Sequence, residues 1–159
     1  KQTRVAAPRA NPTAETTITS APITQTEPVS PSIFVSSELM RACSLHLNDV
    51  ATAPKFDFDE SELLPLDYEV LGKIGRCLSS QGALHGRSIR LIGRADPRGT
   101  MEYNMALGAR RAHNVGAFLE EFGIERTRIF ETSRGELDAT GTNEATWQID
   151  RRVDILLAD

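Results

Sequence analysis

Two oppositely charged side chains, Asp96 and Arg111, give this sequence its clearest candidate for binding chemistry. They stand fifteen residues apart in a stretch that reads as the end of a strand, a turn containing Pro and Gly, and then a helix. An acid at the turn and a guanidinium on the helix can converge on one small zwitterionic ligand. Asp96 would hold the ligand's ammonium, and Arg111 would hold its carboxylate in bidentate fashion. The alternative is a salt bridge between the two side chains that only fixes the turn.

The predicted helix places Arg111 inside an apolar stripe, four residues after Leu107 and four before Val115. Asn104 precedes Arg111 by seven residues, which is two helical turns, so both side chains point the same way. A guanidinium on the sheet-facing side of a helix is costly to bury unless a negative group meets it. The Asn104 amide is both donor and acceptor, so it can serve either group of a ligand.

Other kinds of site find little support in the sequence. The histidines His46, His85 and His113 are scattered without metal-ligand spacing, so no metal site and no cofactor is predicted. No Ser–His–Asp arrangement suggests nucleophilic catalysis, and the chain is predicted not to be an enzyme. A glycosidase pair of Asp59 and Asp96 is a minor alternative, because an Arg beside the acid lowers the pKa that a general acid needs raised.

The composition is that of a soluble globular protein. The chain has 159 residues, of which 40% are hydrophobic and 25% charged, enough for one domain with a core. The net charge of -4 argues against nucleic-acid binding. No apolar run of about 18 residues is present, so membrane attachment is expected only through an upstream anchor.

The two cysteines, Cys43 and Cys77, allow three interpretations. Two thiols alone make a poor zinc site, and buried free thiols are the simplest alternative. A disulfide is favoured, because Cys77 lies late in a predicted helix and Cys43 in the segment ahead of the first predicted strand. It would stabilise the fold by roughly 3–4 kcal/mol and indicate an oxidising compartment such as the bacterial periplasm.

The chain divides into three parts. Residues 1–32 hold five of the eight prolines and no aromatic residue, which predicts a flexible tether; a strand packed against the domain is the less favoured alternative. Residues 33–53 are predicted to be an N-terminal extension stapled to the domain, and residues 54–159 to be the domain itself.

Hydrophobic periodicity within the domain predicts two helices and four strands. The predicted strands are 55–59, 88–93, 128–133 and 152–157, and the predicted helices begin at Ser61, with Pro65 in the first turn, and at Met101. Gly82 is expected to end the first helix and Gly123, as a C-terminal cap, the second. The order β-α-β-α-β-β indicates an α+β sandwich with two helices on one face of a four-stranded mixed sheet. The β-α-β units should give parallel neighbours, and the last strand should return antiparallel.

Several motifs, in order and at matching spacing over about residues 54–157, resemble the OmpA-like C-terminal domain family. They are Phe56-Asp57-Phe58-Asp59, the run Gly93-Arg94-Ala95-Asp96-Pro97-Arg98-Gly99, Tyr103-Asn104, Arg110-Arg111-Ala112, Gly123-Ile124, Ser133-Arg134-Gly135-Glu136 and Asp150-Arg151-Arg152-Val153. That family includes Pal-like peptidoglycan-associated lipoproteins and the C-terminal parts of flagellar stator proteins. Its members bind peptidoglycan without cleaving it, by holding the diaminopimelate of the stem peptide.

The resemblance implies a set of ligand-binding residues. The family pattern Gly-His-Thr-Asp-x-x-Gly places its ligand Asp at Asp96 and its loop Gly at Gly99, and its Arg and Asn fall at Arg111 and Asn104. The whole predicted set is Asp96, Arg111, Asn104, Gly99, Arg98, Leu107 and Asp59. Departures from the pattern are Arg94-Ala95 in place of His-Thr, Arg98 in place of Thr or Ser, and Asp150 in place of Asn. Arg98 would either add a carboxylate contact or crowd the pocket, while Arg151 and Arg152 are expected to pair within the domain.

The resemblance also implies a place in the cell. We expect a periplasmic protein that binds peptidoglycan and anchors the outer membrane of a Gram-negative bacterium, or an envelope complex, to the cell wall as a lipoprotein. The alternative is an envelope interaction module that binds Tol-type or other proteins, in which the Asp96–Arg111 pair is structural.

Overall fold

The computed structural model describes residues 25–46, 56 and 58–158 of the chain. Its strands are β1 (Thr26–Pro28), β2 (Ile33–Ser36), β3 (Ser88–Arg94), β4 (Ile129–Gly135) and β5 (Val153–Ala158). Its α-helices are α1 (Ser37–Ala42), α2 (Pro65–Leu78), α3 (Met101–Glu120) and α4 (Glu144–Asp150). Among these described helices, none combines the length and the apolar character needed to span a membrane.

The strands form one mixed sheet in the order β1-β2-β5-β3-β4. β3 and β4 are parallel, as the predicted β-α-β unit requires, and β5 runs antiparallel to β3. β2 lies parallel to β5 on its other side, and β1 pairs antiparallel with β2. The α+β class and the mixed sheet are therefore confirmed, but the sheet has five strands instead of the predicted four.

The predicted strand 55–59 is wrong for its described residues. Phe56 has no regular secondary structure, and Phe58 and Asp59 lie in a turn; Lys55 and Asp57 lie outside the described residues. The strand beside β5 is instead β2, all four residues of which are buried. A short alternation of apolar and polar residues is a local signal, whereas Ile33–Ser36 can bury both faces within the sheet.

The predicted tether also extends too far along the chain. Residues 26–32 belong to the fold, because β1 pairs with β2 and Val29, Ser30 and Ser32 are fully buried. The buried carboxylate of Asp67 on α2 accepts hydrogen bonds from the Ser30 hydroxyl (2.7 Å) and the Ser32 N–H (3.2 Å). The alternative of a strand packed against the domain is therefore correct here; residues 1–24, and residues 47–53 of the predicted extension, lie outside the described part of the chain.

The helix ends follow from local capping. Pro65 occupies the first turn of α2, as predicted, and the Asp67 carboxylate caps the helix by accepting from the Leu64 N–H at 2.9 Å. α2 ends at Leu78, earlier than the predicted Gly82. α3 begins after Thr100, whose hydroxyl accepts from the Tyr103 N–H, and Gly123 follows it with a φ of +80°, in the left-handed region that glycine favours.

α4 is an element that the sequence analysis missed. It lies between the predicted strands 128–133 and 152–157, where no helix was predicted, and the Asn143 side chain caps its N-terminus. Asp150, at its last residue, is buried and accepts from the N–H groups of Thr140 and Gly141 at 3.2 and 2.9 Å. Both of its carboxylate oxygens are used, whereas an Asn side chain has only one acceptor oxygen. The helix carries Glu144 and Trp147, which both reach the candidate site.

α3 lies against β3 and β4 at very close range. A Cβ atom on Gly93 of β3 would overlap the Gly108 carbonyl of α3, and a Cβ atom on Gly108 would overlap the Ser133 hydroxyl. Two glycines thus allow the helix backbone to touch the strand backbone. This contact sets the distance between the turn that follows β3 and the middle of α3.

The predicted disulfide joins Cys43, just after α1, to Cys77 near the end of α2. Its Cα atoms are 5.5 Å apart, and it closes a segment with a sequence separation of 34. Leu39 of α1 and Ile74 and Leu78 of α2 are fully buried in the core around it. The bond therefore fastens the N-terminal segment to the rest of the domain, as expected.

Candidate ligand-binding site

The centre of the candidate site is Asp96, which lies in the turn after β3 and is only 3% exposed. Its Oδ1 accepts from the backbone N–H and the Nε of Arg98, both at 3.1 Å. Its Oδ2 accepts from Arg98 Nη2 at 2.8 Å and from Arg151 Nη1 at 2.9 Å. Burial acts to raise the pKa of Asp96, but the hydrogen bonds from Arg98 and Arg151 outweigh it and lower the pKa below its ordinary value of 3.8. Asp96 is therefore an ionised carboxylate that binds cations.

The Arg98 guanidinium lies between two aromatic rings. Its carbon atom is 4.2 Å from the centre of the Phe58 ring and 4.3 Å from that of the Trp147 ring. Glu144 on α4 adds a carboxylate 3.4 Å from Nη2. Such a slot stabilises a planar cation through cation–π contacts on both faces and charge at its edge.

The turn that carries Asp96 and Arg98 is held in shape by Gly99 and Asn104. Gly99 has a φ of +93°, a conformation that side-chain-bearing residues rarely adopt. Asn104, in the first turn of α3, is 1% exposed and donates from Nδ2 to the Arg98 carbonyl at 2.9 Å. The sequence analysis predicted both as ligand-binding residues. In this structure they support the turn that presents Asp96.

Arg111 lies deeper than Asp96 and is fully buried. Its Nε donates to the Glu60 carbonyl and its Nη1 to the Arg94 carbonyl, both at 2.8 Å. Its guanidinium carbon lies 4.8 Å from the centre of the Phe56 ring. Burial, followed by repulsion from Arg151, lowers the pKa of Arg111 to about 9, so the side chain is still cationic at neutral pH.

Asp96 and Arg111 act on each other through charge, because Coulombic attraction to Asp96 favours the cationic form of Arg111. The ion-pair partners of Asp96 among the described residues, however, are Arg98 and Arg151. Arg151 is 2% exposed, bonds to the Phe56 carbonyl and pairs with Glu144 at 2.8 Å. The expectation that Arg151 and Arg152 pair within the domain is met, since Arg152 pairs with Asp154 at 2.9 Å.

The two remaining predicted site residues have different surroundings. Leu107, one helical turn before Arg111, is 3% exposed and belongs to the packed interior. Asp59 is exposed in the turn after Phe58, with a φ of +65°, and its charge favours the cationic form of Arg111. Asp59 is therefore accessible from solvent, whereas Leu107 is not.

Four residues of the site were not found from the sequence: Phe58, Glu144, Trp147 and Arg151. Trp147 donates from Nε1 to the Gly141 carbonyl at 3.1 Å, and its ring contacts Arg98. Phe58 was expected on a strand and not in a turn beside Arg98. Their convergence depends on contacts between residues separated by up to 95 positions, such as that of Arg151 with the Phe56 carbonyl.

Comparison with known proteins identifies the family of the chain. The sequence profile of the OmpA family matches residues 55–152. The chain is similar to the peptidoglycan-associated lipoprotein of Pseudomonas putida, with 37% identity over 102 residues that cover 63% of this chain and 59% of the relative. It is also similar to outer membrane protein A of Bordetella avium, with 35% identity over 89 residues that cover 56% of this chain and 44% of the relative.

Solved structures agree with the sequence matches. The crystal structure of the peptidoglycan-associated lipoprotein from Burkholderia pseudomallei superposes with a TM-score of 0.60 and 31% identity, over 69% of this chain and 95% of that one. The C-terminal domain of Helicobacter pylori MotB shares the fold, with a TM-score of 0.55 and 16% identity over 66% of this chain and 82% of that one.

The chain belongs to the OmpA family. This is a structural family of non-enzymatic domains, so the prediction that the chain is not an enzyme is confirmed. The matched regions span less than two thirds of the length of the curated relatives described above.

Proposed function

We propose that this protein binds peptidoglycan non-covalently, through the diaminopimelate of the stem peptide, and so anchors an envelope component to the cell wall. The observation that carries the proposal is the Asp96 site: a buried, ionised carboxylate that holds a cation in a slot beside two aromatic rings. The free end of diaminopimelate carries an ammonium beside a carboxylate. Asp96 would bind that ammonium, and the positive charge of Arg111 would attract the carboxylate.

The position of Arg111 adds a condition to this proposal. Its guanidinium is fully buried and is bonded to the carbonyl of Glu60, which belongs to the segment that also contains Phe58 and Asp59. Direct contact with a ligand carboxylate therefore requires this segment to move outward. Phe58 is 50% exposed, and Asp59 and Glu60 are exposed as well, so the movement would break the contact of Phe58 with Arg98 and the bond from Arg111 to Glu60.

The proposed setting is the periplasm, with attachment to the outer membrane through an upstream anchor. Two of the similar proteins are named peptidoglycan-associated lipoproteins, and the disulfide between Cys43 and Cys77 suits an oxidising compartment. Because residues 25–46 are part of the folded unit, the residues before them would serve as the connection.

Co-sedimentation with purified peptidoglycan sacculi tests the proposal. The wild-type protein should sediment with sacculi, and the Asp96→Asn and Arg111→Lys variants should each lose at least ten-fold in affinity. Asp96→Asn removes the negative charge that would bind the ammonium, and Arg111→Lys removes the planar guanidinium that would hold the carboxylate in bidentate fashion. The matched controls Glu120→Gln and Arg126→Gln alter an exposed ion pair on the surface and should bind like the wild type. Thermal unfolding of every variant must show that it folds.

A second candidate function is an envelope interaction module that binds a protein, such as a Tol-type partner. The internal pairing of Asp96 with Arg98 and Arg151 favours it, because a satisfied ion cluster can be purely structural. Sedimentation that persists unchanged in folded Asp96→Asn and Arg111→Lys variants, or no sedimentation of the wild type, would leave this candidate in place of the first.

A further inference from the structure

The cation site of this protein is already filled by its own side chain. The Arg98 guanidinium touches both oxygens of Asp96, through Nε to Oδ1 at 3.1 Å and through Nη2 to Oδ2 at 2.8 Å. Such a bidentate pair is the strongest common form of carboxylate recognition in proteins. The site that would receive a ligand ammonium therefore holds a competing cation.

The two arginines on Asp96 differ in how easily they can leave. Arg151 is 2% exposed and is held at three positions, by Asp96, by Glu144 and by the Phe56 carbonyl. The Arg98 side chain is 30% exposed, and its contacts beyond Asp96 are the faces of two rings and the exposed Glu144 carboxylate. Arg98 is thus the removable partner, and Arg151 the permanent one.

We propose that Arg98 determines specificity by occupying the ammonium position of the site, so that a ligand binds only when its cation displaces the guanidinium. This inference rests on the proposed function. When Arg98 leaves Asp96, it stays paired by moving along the Trp147 ring toward Glu144, which already lies 3.4 Å from Nη2.

The consequence is selection for ligands that carry both charges. A simple amine offers one cation and must compete with a bidentate guanidinium that is tethered beside the carboxylate at high effective concentration. An amino-acid end group adds a carboxylate, and the positive charges of Arg111 and of the released Arg98 attract that carboxylate. The self-filled site therefore rejects amines such as lysine side chains, and it accepts diaminopimelate.

The test uses Trp147, the single tryptophan of the chain, as a reporter. Its ring contacts the Arg98 guanidinium, so its fluorescence should change when Arg98 moves. Three proteins are titrated with meso-diaminopimelate and with 1,5-diaminopentane: the wild type, Arg98→Ser, and the control Arg126→Ser, which loses an exposed guanidinium elsewhere. Isothermal titration calorimetry gives the affinities of all three, because Arg98→Ser has no guanidinium whose movement Trp147 can report. The diamine has the same two amines and neither carboxylate.

We expect Arg98→Ser to bind meso-diaminopimelate at least ten-fold more tightly than the wild type does, and to gain more affinity for the diamine than for meso-diaminopimelate, so that the ratio of the two affinities narrows. The wild type and Arg126→Ser should respond to meso-diaminopimelate and not to the diamine over the same concentrations. Without ligand, the emission of Arg98→Ser should already differ from that of the wild type.

Failure of the Arg98 inference can be distinguished from failure of the proposed peptidoglycan binding. Equal or weaker binding of meso-diaminopimelate by folded Arg98→Ser, with the wild type still binding sacculi, would overturn the inference and leave peptidoglycan binding intact. Absence of binding to both meso-diaminopimelate and sacculi in every protein would overturn both. A second variant, Arg98→Gln, keeps more of the side-chain volume between the rings and should behave like Arg98→Ser if the charge is the cause.

Discussion

At the scale of single residues, the site is a balance of charges around one carboxylate. Asp96 interacts with three guanidinium groups, those of Arg98, Arg111 and Arg151. Two of these, Arg98 and Arg151, also pair with the Glu144 carboxylate. Removal of one partner from a buried pair leaves the other charge uncompensated, which typically costs about 3–5 kcal/mol. Asp96 is therefore expected to matter for stability as well as for binding.

Acid unfolding should reveal the contribution of Asp96. Because its folded pKa lies below its ordinary value of 3.8, the stabilisation is fully present above that value and is lost as the pH falls through the folded pKa. We expect Asp96→Asn to be about 3 kcal/mol less stable than the wild type at pH 7. The difference should shrink steadily below about pH 4, as measured by urea unfolding between pH 7 and pH 2.5.

The control for this prediction is Glu120→Gln, which removes an exposed pair with Arg126 and should change stability by less than about 0.5 kcal/mol at any of these pH values. A stability difference for Asp96→Asn that stays constant from pH 7 to pH 2.5 would mean that the carboxylate is not ionised and paired in the folded protein.

The sequence could indicate Asp96, Arg111, Asn104 and Gly99, because each lies at a fixed offset within one turn-and-helix segment. It could not show that Arg98 covers Asp96. That arrangement depends on the Phe58 and Trp147 rings and on Glu144, which come from distant parts of the chain. Nor could it show that Arg111 bonds to the Glu60 carbonyl, since Glu60 follows the turn at Phe58 and Asp59, a stretch that was expected to be a strand.

At the scale of elements, the geometry of the site depends on how closely α3 approaches β3. Asp96 follows β3 and Arg111 lies on α3, so the contact between Gly93 and Gly108 sets their separation. Larger residues at this contact would push the helix outward and move both halves of the site. Stability and binding should therefore be affected together.

Gly93→Ala tests this dependence. The new Cβ would overlap the Gly108 carbonyl, so the helix must shift; overpacking of this kind costs about 1–3 kcal/mol, and we expect the upper end because the obstacle is backbone. Sacculus binding should fall as well. The matched control is Gly72→Ala in α2, where the Cβ would meet side-chain atoms at an ordinary 3.5 Å. It should be neutral or up to about 1 kcal/mol stabilising, because Ala favours helix. Equal urea midpoints for the two variants would contradict this account.

Elements with strong local sequence signals were predicted well, whereas the strand beside β5, for which two segments were suitable, was not. Met101 begins α3, as expected from the turn before it, whereas α2 begins at Pro65, later than the predicted start at Ser61. The strand beside β5 was misplaced, because the segments around Ile33 and around Phe56 both carry short apolar patterns. Ile33–Ser36 forms the strand, because its residues are buried on both faces of the sheet. That burial exists only in the assembled sheet and cannot be seen in the local sequence. α4 was missed because its seven residues are too few for a clear periodicity.

At the scale of the whole molecule, the N-terminal segment is part of the folded unit. β1 and β2 extend the sheet beyond β5, Asp67 binds Ser30 and Ser32, and the disulfide ties the residue after α1 to α2. These contacts join residues 25–46 to the family domain at residues 55–152. A load applied through the N-terminus would therefore reach the sheet through paired strands and one covalent bond.

Loss of the disulfide should weaken the molecule without altering the site. We expect the double variant Cys43→Ser/Cys77→Ser to lose roughly 3–4 kcal/mol of unfolding free energy, since the bond closes a loop with a sequence separation of 34. Urea unfolding of the wild type with and without reductant should reproduce that loss. Affinity for sacculi under native conditions should stay within two-fold, and a larger change would show that the disulfide shapes the site.

The central claim is that Asp96 receives the ammonium of diaminopimelate. The most direct measurement is a crystal structure of the protein with a stem peptide that contains meso-diaminopimelate. We predict the ligand nitrogen about 2.7–3.2 Å from an Asp96 oxygen, with the Arg98 guanidinium moved toward Glu144 and the ligand carboxylate on the Arg111 side. A peptide bound elsewhere, with Arg98 still paired to Asp96, would contradict the claim.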